Sequence, residues 1–152
     1  MEDIKVQLIA PAKEDLISYV RDPQIEEDIL FISRRTVIPG SYSINVNGIV
    51  QIVLDADSTI LAIECLYPRK KWTIDKELSL PDQITPANLK FVMHRRGRYL
   101  ELPVRITTDE DYKFAQVLIG NPGPNIIYVG LSDQCYGIVS GNNFQGYFVH
   151  LT

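Results

Sequence analysis

Turn-forming residues recur roughly every 8–12 positions along most of this chain, and the runs between them are rich in Ile, Val, Tyr and Phe. Such runs are short for helices, and the 3.6-residue period of an amphipathic helix is nearly absent. Asn47-Gly48 is the sharpest punctuation. Both central positions of a type I′ hairpin turn need positive φ, which Asn and Gly tolerate. Tyr42-Ser43-Ile44-Asn45-Val46 alternates strictly before it, and Ile49-Val50-Gln51-Ile52-Val53-Leu54 follows it. Asp55-Ala56-Asp57-Ser58 is the next turn, and Thr59 to Cys65 returns. Residues 42–65 are therefore expected to form a three-strand meander.

Further strands are expected at 4–8, 28–32, 104–106, 114–119, 126–129, 136–139 and 144–151. Ser140-Gly141-Asn142-Asn143 joins the last two by turn chemistry. Leu89 to His94 and Tyr99 to Leu102 read as a hairpin with Gly97 in its loop, with a helix over 88–95 as the alternative. The best helix candidate is short. Pro11 suits a first turn, Leu16, Ile17 and Val20 form one apolar stripe, and Asp22-Pro23 ends it. The expected fold is α+β and mostly antiparallel β: a meander or partly closed barrel with one short N-terminal helix.

A chain of 152 residues, 45% hydrophobic and 22% charged, is one ordinary globular domain spanning 1–152. Its length needs no metal or disulfide to complete a core. Cys65 and Cys135 stand far apart with no CxxC, so both are expected reduced and buried, in the cytoplasm. Met1-Glu2-Asp3-Ile4-Lys5 is unlike a secretory leader, and no apolar run is long enough for a membrane-spanning helix.

Two segments look alike. Asp28-Ile29-Leu30-Phe31-Ile32 matches Asn125-Ile126-Ile127-Tyr128-Val129, and each precedes a hairpin whose first arm ends in an apolar pair, Ile52-Val53 or Ile138-Val139. A duplicated β unit, with halves near 28–66 and 125–151, is one reading. The other is that any two buried hairpins share such a pattern.

Asp28 to Ile32, followed by Val53-Leu54-Asp55-Ala56-Asp57-Ser58-Thr59-Ile60-Leu61-Ala62-Ile63-Glu64, resembles a hairpin found in small uncharacterised bacterial domains. The resemblance covers about residues 28–65. The glycine usual after the second aspartate and the one usual before Ile63-Glu64 are missing here. That family has no established activity, so the resemblance implies a fold and no chemistry.

Among candidate chemical groups, Asp55 and Asp57 lack the further oxygen ligands of a calcium loop and suit a hairpin turn. His94 and His150 have no ligand at metal-binding spacing. A Cys135–His150 or Cys65–His94 nucleophile pair has only the residue types in its favour. GxSxG, GxGxxG and Walker sequences are missing. No cofactor or metal is expected.

The net charge of −4 conceals structure. Residues 1–33 hold eight acids and three bases, residues 34–105 seven acids and eleven bases, and residues 106–152 four acids and one base. Two basic-aromatic clusters fall in the positive middle: Tyr67, Arg69, Lys70, Lys71 and Trp72, then His94, Arg95, Arg96, Arg98 and Tyr99. They suit solvated hairpin tips, an acidic protein partner, or phosphates and stacked bases. The leading expectation is a non-catalytic binding module for another protein, of immunity or antitoxin-like form. The alternatives are a nucleic-acid-associated accessory protein and an unrecognised enzyme, which would need a deep pocket joining a histidine or cysteine to carboxylates. An oligomer is compatible with all three readings.

Overall fold

The computed structural model describes residues 3–11, 18–20, 30–33, 42–92 and 98–151. Fifteen strands run through them. They are β1 (Val6–Ile9), β2 (Ser18–Val20), β3 (Leu30–Ser33), β4 (Tyr42–Val46), β5 (Val50–Leu54), β6 (Ile60–Cys65), β7 (Thr73–Ile74) and β8 (Thr85–Pro86). Then come β9 (Asn88–Phe91), β10 (Arg98–Leu100), β11 (Val104–Thr108), β12 (Phe114–Ile119), β13 (Ile126–Gly130), β14 (Cys135–Ser140) and β15 (Asn143–His150). One sheet has the order β10-β4-β5-β6-β3-β2, a second β7-β11-β12-β15-β14-β13-β8, and β1 with β9 forms a separate ribbon.

The architecture corrects the expected α+β class. The described residues contain no α-helix, and their only helical piece is a 3-10 turn at Arg69–Lys71. Part of the expected N-terminal helix, residues 12–17, lies outside the described residues. Its end, Ser18–Val20, is a strand antiparallel to β3. Sheet pairing overrides the weak helical stripe there. The sheets also form no closed barrel.

The meander over 42–65 follows its turn chemistry. Asn47 and Gly48 both take positive φ, at 53° and 69°, and β4, β5 and β6 pair antiparallel in sequence. The expected 89–102 hairpin does not form. β9 pairs with β1, and β10 lies parallel to β4. Val6, Leu89 and Phe91 are buried in the ribbon, so burying apolar faces on other strands outweighs local pairing. The two segments that share a pattern pair differently. β3 pairs with the return arm β6, whereas β13 pairs with the first arm β14.

Alternation puts one face of most main strands inward, whereas all six residues of β14 are buried. Ile44, Val46, Val50, Ile52, Leu54, Ile63 and Cys65 from the first sheet join Ala115, Val117, Ile119, Val139, Tyr147 and Val149 from the second in one core. The β1–β9 ribbon connects the sheets. Lys5 bridges to Asn143 and Lys90 to Thr59, and the Phe91 ring packs 5.1 Å from Phe144.

β15 carries the tightest constraint. Ile138 faces Gly146 but Val139 faces Phe144, so Gln145 is an extra, bulged residue. Gly146 has φ +139°, and a Cβ there would lie 1.8 Å from the Val117 carbonyl oxygen. The turn glycine Gly141, at φ +60°, has open space around it. Gly146→Ala is therefore expected to remove upward of about 3 kcal/mol of stability or to prevent folding. Gly141→Ala should cost only about 1 kcal/mol. Urea denaturation of both variants checks the contrast, and a Gly146→Ala protein as stable as the parent would refute it.

Candidate functional site

The first basic-aromatic cluster is largely committed to packing. Trp72 is only 5% exposed and belongs to the core, and its indole N–H donates to the Tyr67 carbonyl at 3.0 Å. The Arg69 guanidinium lies 5.5 Å from the Trp72 ring and 5.4 Å from the Tyr112 ring. Tyr112 sits in the β11–β12 turn, so this cation–π contact ties the turn after β6 to the opposite sheet. Lys70 and Lys71 remain exposed.

Of the second cluster, His94, Arg95 and Arg96 lie outside the described residues. Arg98 is half-buried and donates to the Asp3 carbonyl at 3.5 Å. Tyr99 is 61% exposed, on the outer side of β10, because the next residue, Leu100, turns into the core. β4 and β5 separate β10 from β6, so the clusters' strands stand roughly 14 Å apart at ordinary strand spacing. Both segments flank the β4–β5 turn. The Asn47 side-chain amide donates to the Leu102 carbonyl, and the Leu66 N–H donates to Ile49.

The nucleophile pairs fare differently. Cys135 pairs with Val149 on the inward face, whereas His150 points outward, so the proposed Cys135–His150 pair does not form. His150 joins Phe114, Tyr136 and Phe148 in an outer aromatic group, with the Tyr136 hydroxyl 3.0 Å from Nε2. Cys65 has no described His94 to face. Burial pushes both thiols up to about 12, far from the thiolate form that attacks electrophiles. Both are free and buried. The Tyr147 hydroxyl is fully buried without a hydrogen-bond partner among the described residues. Burial raises its pKa, reinforced by the two cysteines nearby.

Asp55 is a turn residue. Its carboxylate accepts the N–H groups of Asp57 and Thr59 and the Thr59 hydroxyl. Asp109 does the same in the β11–β12 turn, accepting from the N–H groups of Asp111, Lys113 and Phe114 at 3.2, 2.7 and 2.9 Å. Ser58 and Tyr112 hold the left-handed position in the two turns, at φ 65° and 54°.

An opening for a ligand lies elsewhere. Only Val129 and Gly130 of β13 pair with β8, through Thr85 and Pro86. Upstream of Thr85 the chain leaves the sheet. A hollow of about 360 Å³ separates it from the edge of β13, lined by Asp82, Gln83, Thr85, Ile126, Ile127 and Tyr128. Ile84, Ile126 and Ile127 are 36–39% exposed around it. Neither histidine nor cysteine lines this hollow. Its sequence signal is three apolar residues after Asn125, which also read as an ordinary strand.

No model of a known protein family matches this chain, and no curated protein sequence matches it. No helix among the described residues is long and apolar enough to cross a membrane.

Two outcomes follow from these environments. Burial works to raise the Asp109 carboxyl pKa, but the N–H donors of Phe114, Lys113 and Asp111 prevail and hold it below the ordinary carboxylate value. A depressed carboxyl contributes stability above its unfolded pKa, roughly 3.9, and loses it as pH falls through the folded value. Asp109→Asn should thus cost about 1 kcal/mol at neutral pH. Parent and variant should converge as pH falls below the lowered folded-state value, and urea titrations at decreasing pH check it. The thiols should ignore a water-soluble disulfide reagent in the folded protein and react fully in denaturant. Rapid labelling without denaturant would contradict their burial.

Proposed function

We propose that the protein is a non-catalytic binding module that captures an extended apolar segment of another protein along the open part of β13. The carrying observation is the mismatch between β13 and β8. β13 runs through Ile126 and Ile127 before β8 begins beside it, leaving a hollow beside an edge that pairs with no strand among the described residues. An exposed edge presents backbone N–H and C=O groups to an added strand. Neighbouring strand residues point to opposite faces, so Ile126 and Ile127 offer apolar contacts on both sides of such a strand. The last third of the chain, which includes this edge, holds four acids to one base, and Asp82 borders the hollow. An apolar segment flanked by basic side chains is the complementary partner. An immunity or antitoxin-like protein acts through such contacts. Two free, buried thiols support a reducing compartment such as the cytoplasm.

The test is selection of peptides from a displayed random library on the intact protein, followed by hydrogen exchange. Selected peptides are expected to be extended, apolar and basic-flanked, and to protect the Ile126–Tyr128 amides. Ile127→Glu should weaken their binding at least tenfold, about 1.4 kcal/mol. The double variant Lys70→Ala, Lys71→Ala should bind as the parent does. Binding lost in the lysine variant and kept in Ile127→Glu would overturn the reading. Steeply salt-dependent binding of single-stranded DNA in place of peptides would do the same.

A further inference from the structure

A second hollow, of about 220 Å³, opens where residues 3–4, residues 102–103, the loop after β12 and the start of β15 meet. Its accessible apolar part is Leu102 and Pro103, while Ile4 and Phe144 also line it but are only 3% and 2% exposed. Its polar part is unusual in composition: three carboxamides, Asn121, Asn143 and Gln145, and one carboxylate, Asp3.

The amide orientations are set by their neighbours. The Lys5 ammonium donates to Asn143 Oδ1 at 2.7 Å, and the Gly123 N–H donates to Gln145 Oε1 at 2.6 Å. Each bond engages the oxygen end, so the remaining polar end of each amide is its NH₂ donor. Gln145 is the bulged residue of β15, so the bulge brings this residue into the lining of the hollow. Asn121 is exposed in the loop after β12 and carries both a donor and an acceptor. Asp3 supplies an acceptor, with its charge offset by Lys5 Nζ at 3.7 Å.

We infer that this hollow binds one ring of a neutral sugar or sugar-like polyol. Hydroxyl groups both donate and accept, which matches amide donors set beside a charge-balanced carboxylate. The apolar part suits the C–H face of a ring. The volume corresponds to about seven waters of liquid, below the range for larger ligands. The Asp3–Lys5 pair balances its own charge, so a neutral ligand needs no further counter-charge at this hollow. The inference is independent of the β13 edge and shares no lining residue with it.

The test is an NMR titration of the ¹⁵N-labelled full chain with D-glucose, D-galactose and D-mannose separately, to roughly 100 mM, where millimolar binding saturates. Sodium acetate and inorganic phosphate form two further arms. At least one sugar is expected to shift the amides of residues 120–121 and 143–145 saturably. Neither anion should do so. Asn121→Ala, at an exposed side chain, should leave the dispersed spectrum intact and weaken that binding at least threefold. Non-saturating shifts with all three sugars would overturn the inference. So would saturation by an anion alone, or a folded Asn121→Ala protein that binds sugar as tightly as the parent.

Discussion

The approach of Gly146 to the Val117 carbonyl is the contact on which most of the molecule depends. β15 is paired along both sides, with β12 and β14. The missing side chain at 146 lets β15 lie against β12 while φ +139° turns the backbone through the bulge. That turn keeps Phe144 in the core on one side of the bulge and Tyr147 and Val149 on the other. It also displaces Gln145, which fastens the 120–125 loop through Gly123. A two-residue side-chain period would otherwise reverse every inward residue beyond the insertion. Core register and loop position are thus consequences of one backbone constraint.

The ends of the sheets are held by a different device. Asp55 and Asp109 each collect backbone N–H groups from the turn that follows, replacing hydrogen bonds that a tight turn cannot make internally. Arg69 then links the second of these turns to Trp72 through the Tyr112 ring. The edges are closed by short parallel strands, β7 beside β11 and β8 beside β13. Both belong to the 73–86 segment, which therefore reaches both margins of the seven-stranded sheet. Two residues of pairing do not cover a five-residue strand. The uncovered part of β13 follows from the brevity of β8.

What could be read in advance depended on the range of the interaction involved. Asn47-Gly48 fixes its turn through its own backbone, and the meander around it is legible for that reason. The Asp55 turn is local too. Asp109-Glu110-Asp111 carries the same signal, but the residue that takes the left-handed position there is Tyr112, which is not a turn former, so the turn is hidden. Pairing partners are not local. Leu89 to Phe91 and Tyr99 to Leu100 carry ordinary strand patterns, and nothing in them states that one pairs with Val6 to Ile9 and the other lies parallel to Tyr42 to Val46. Val20 reads as part of a helical stripe because a three-residue edge strand has too little pattern to oppose it.

The candidate site was obscured for a related reason. Arg, Trp and Tyr are the residue types that binding surfaces favour, and the same chemistry serves packing. In 67–72 the fold uses Trp72 and Arg69 itself, leaving Lys70 and Lys71 outside. The cysteines and His150 are similarly engaged, by burial and by Tyr136. Sequence reasoning weights residues by type, whereas availability is decided by what the fold has already used. Here the available groups are ordinary ones in particular places: an apolar strand edge beyond the reach of β8, and amides whose oxygen ends are already held. Neither has a motif, because the information lies in where β8 begins and how Lys5 and Gly123 reach across the fold.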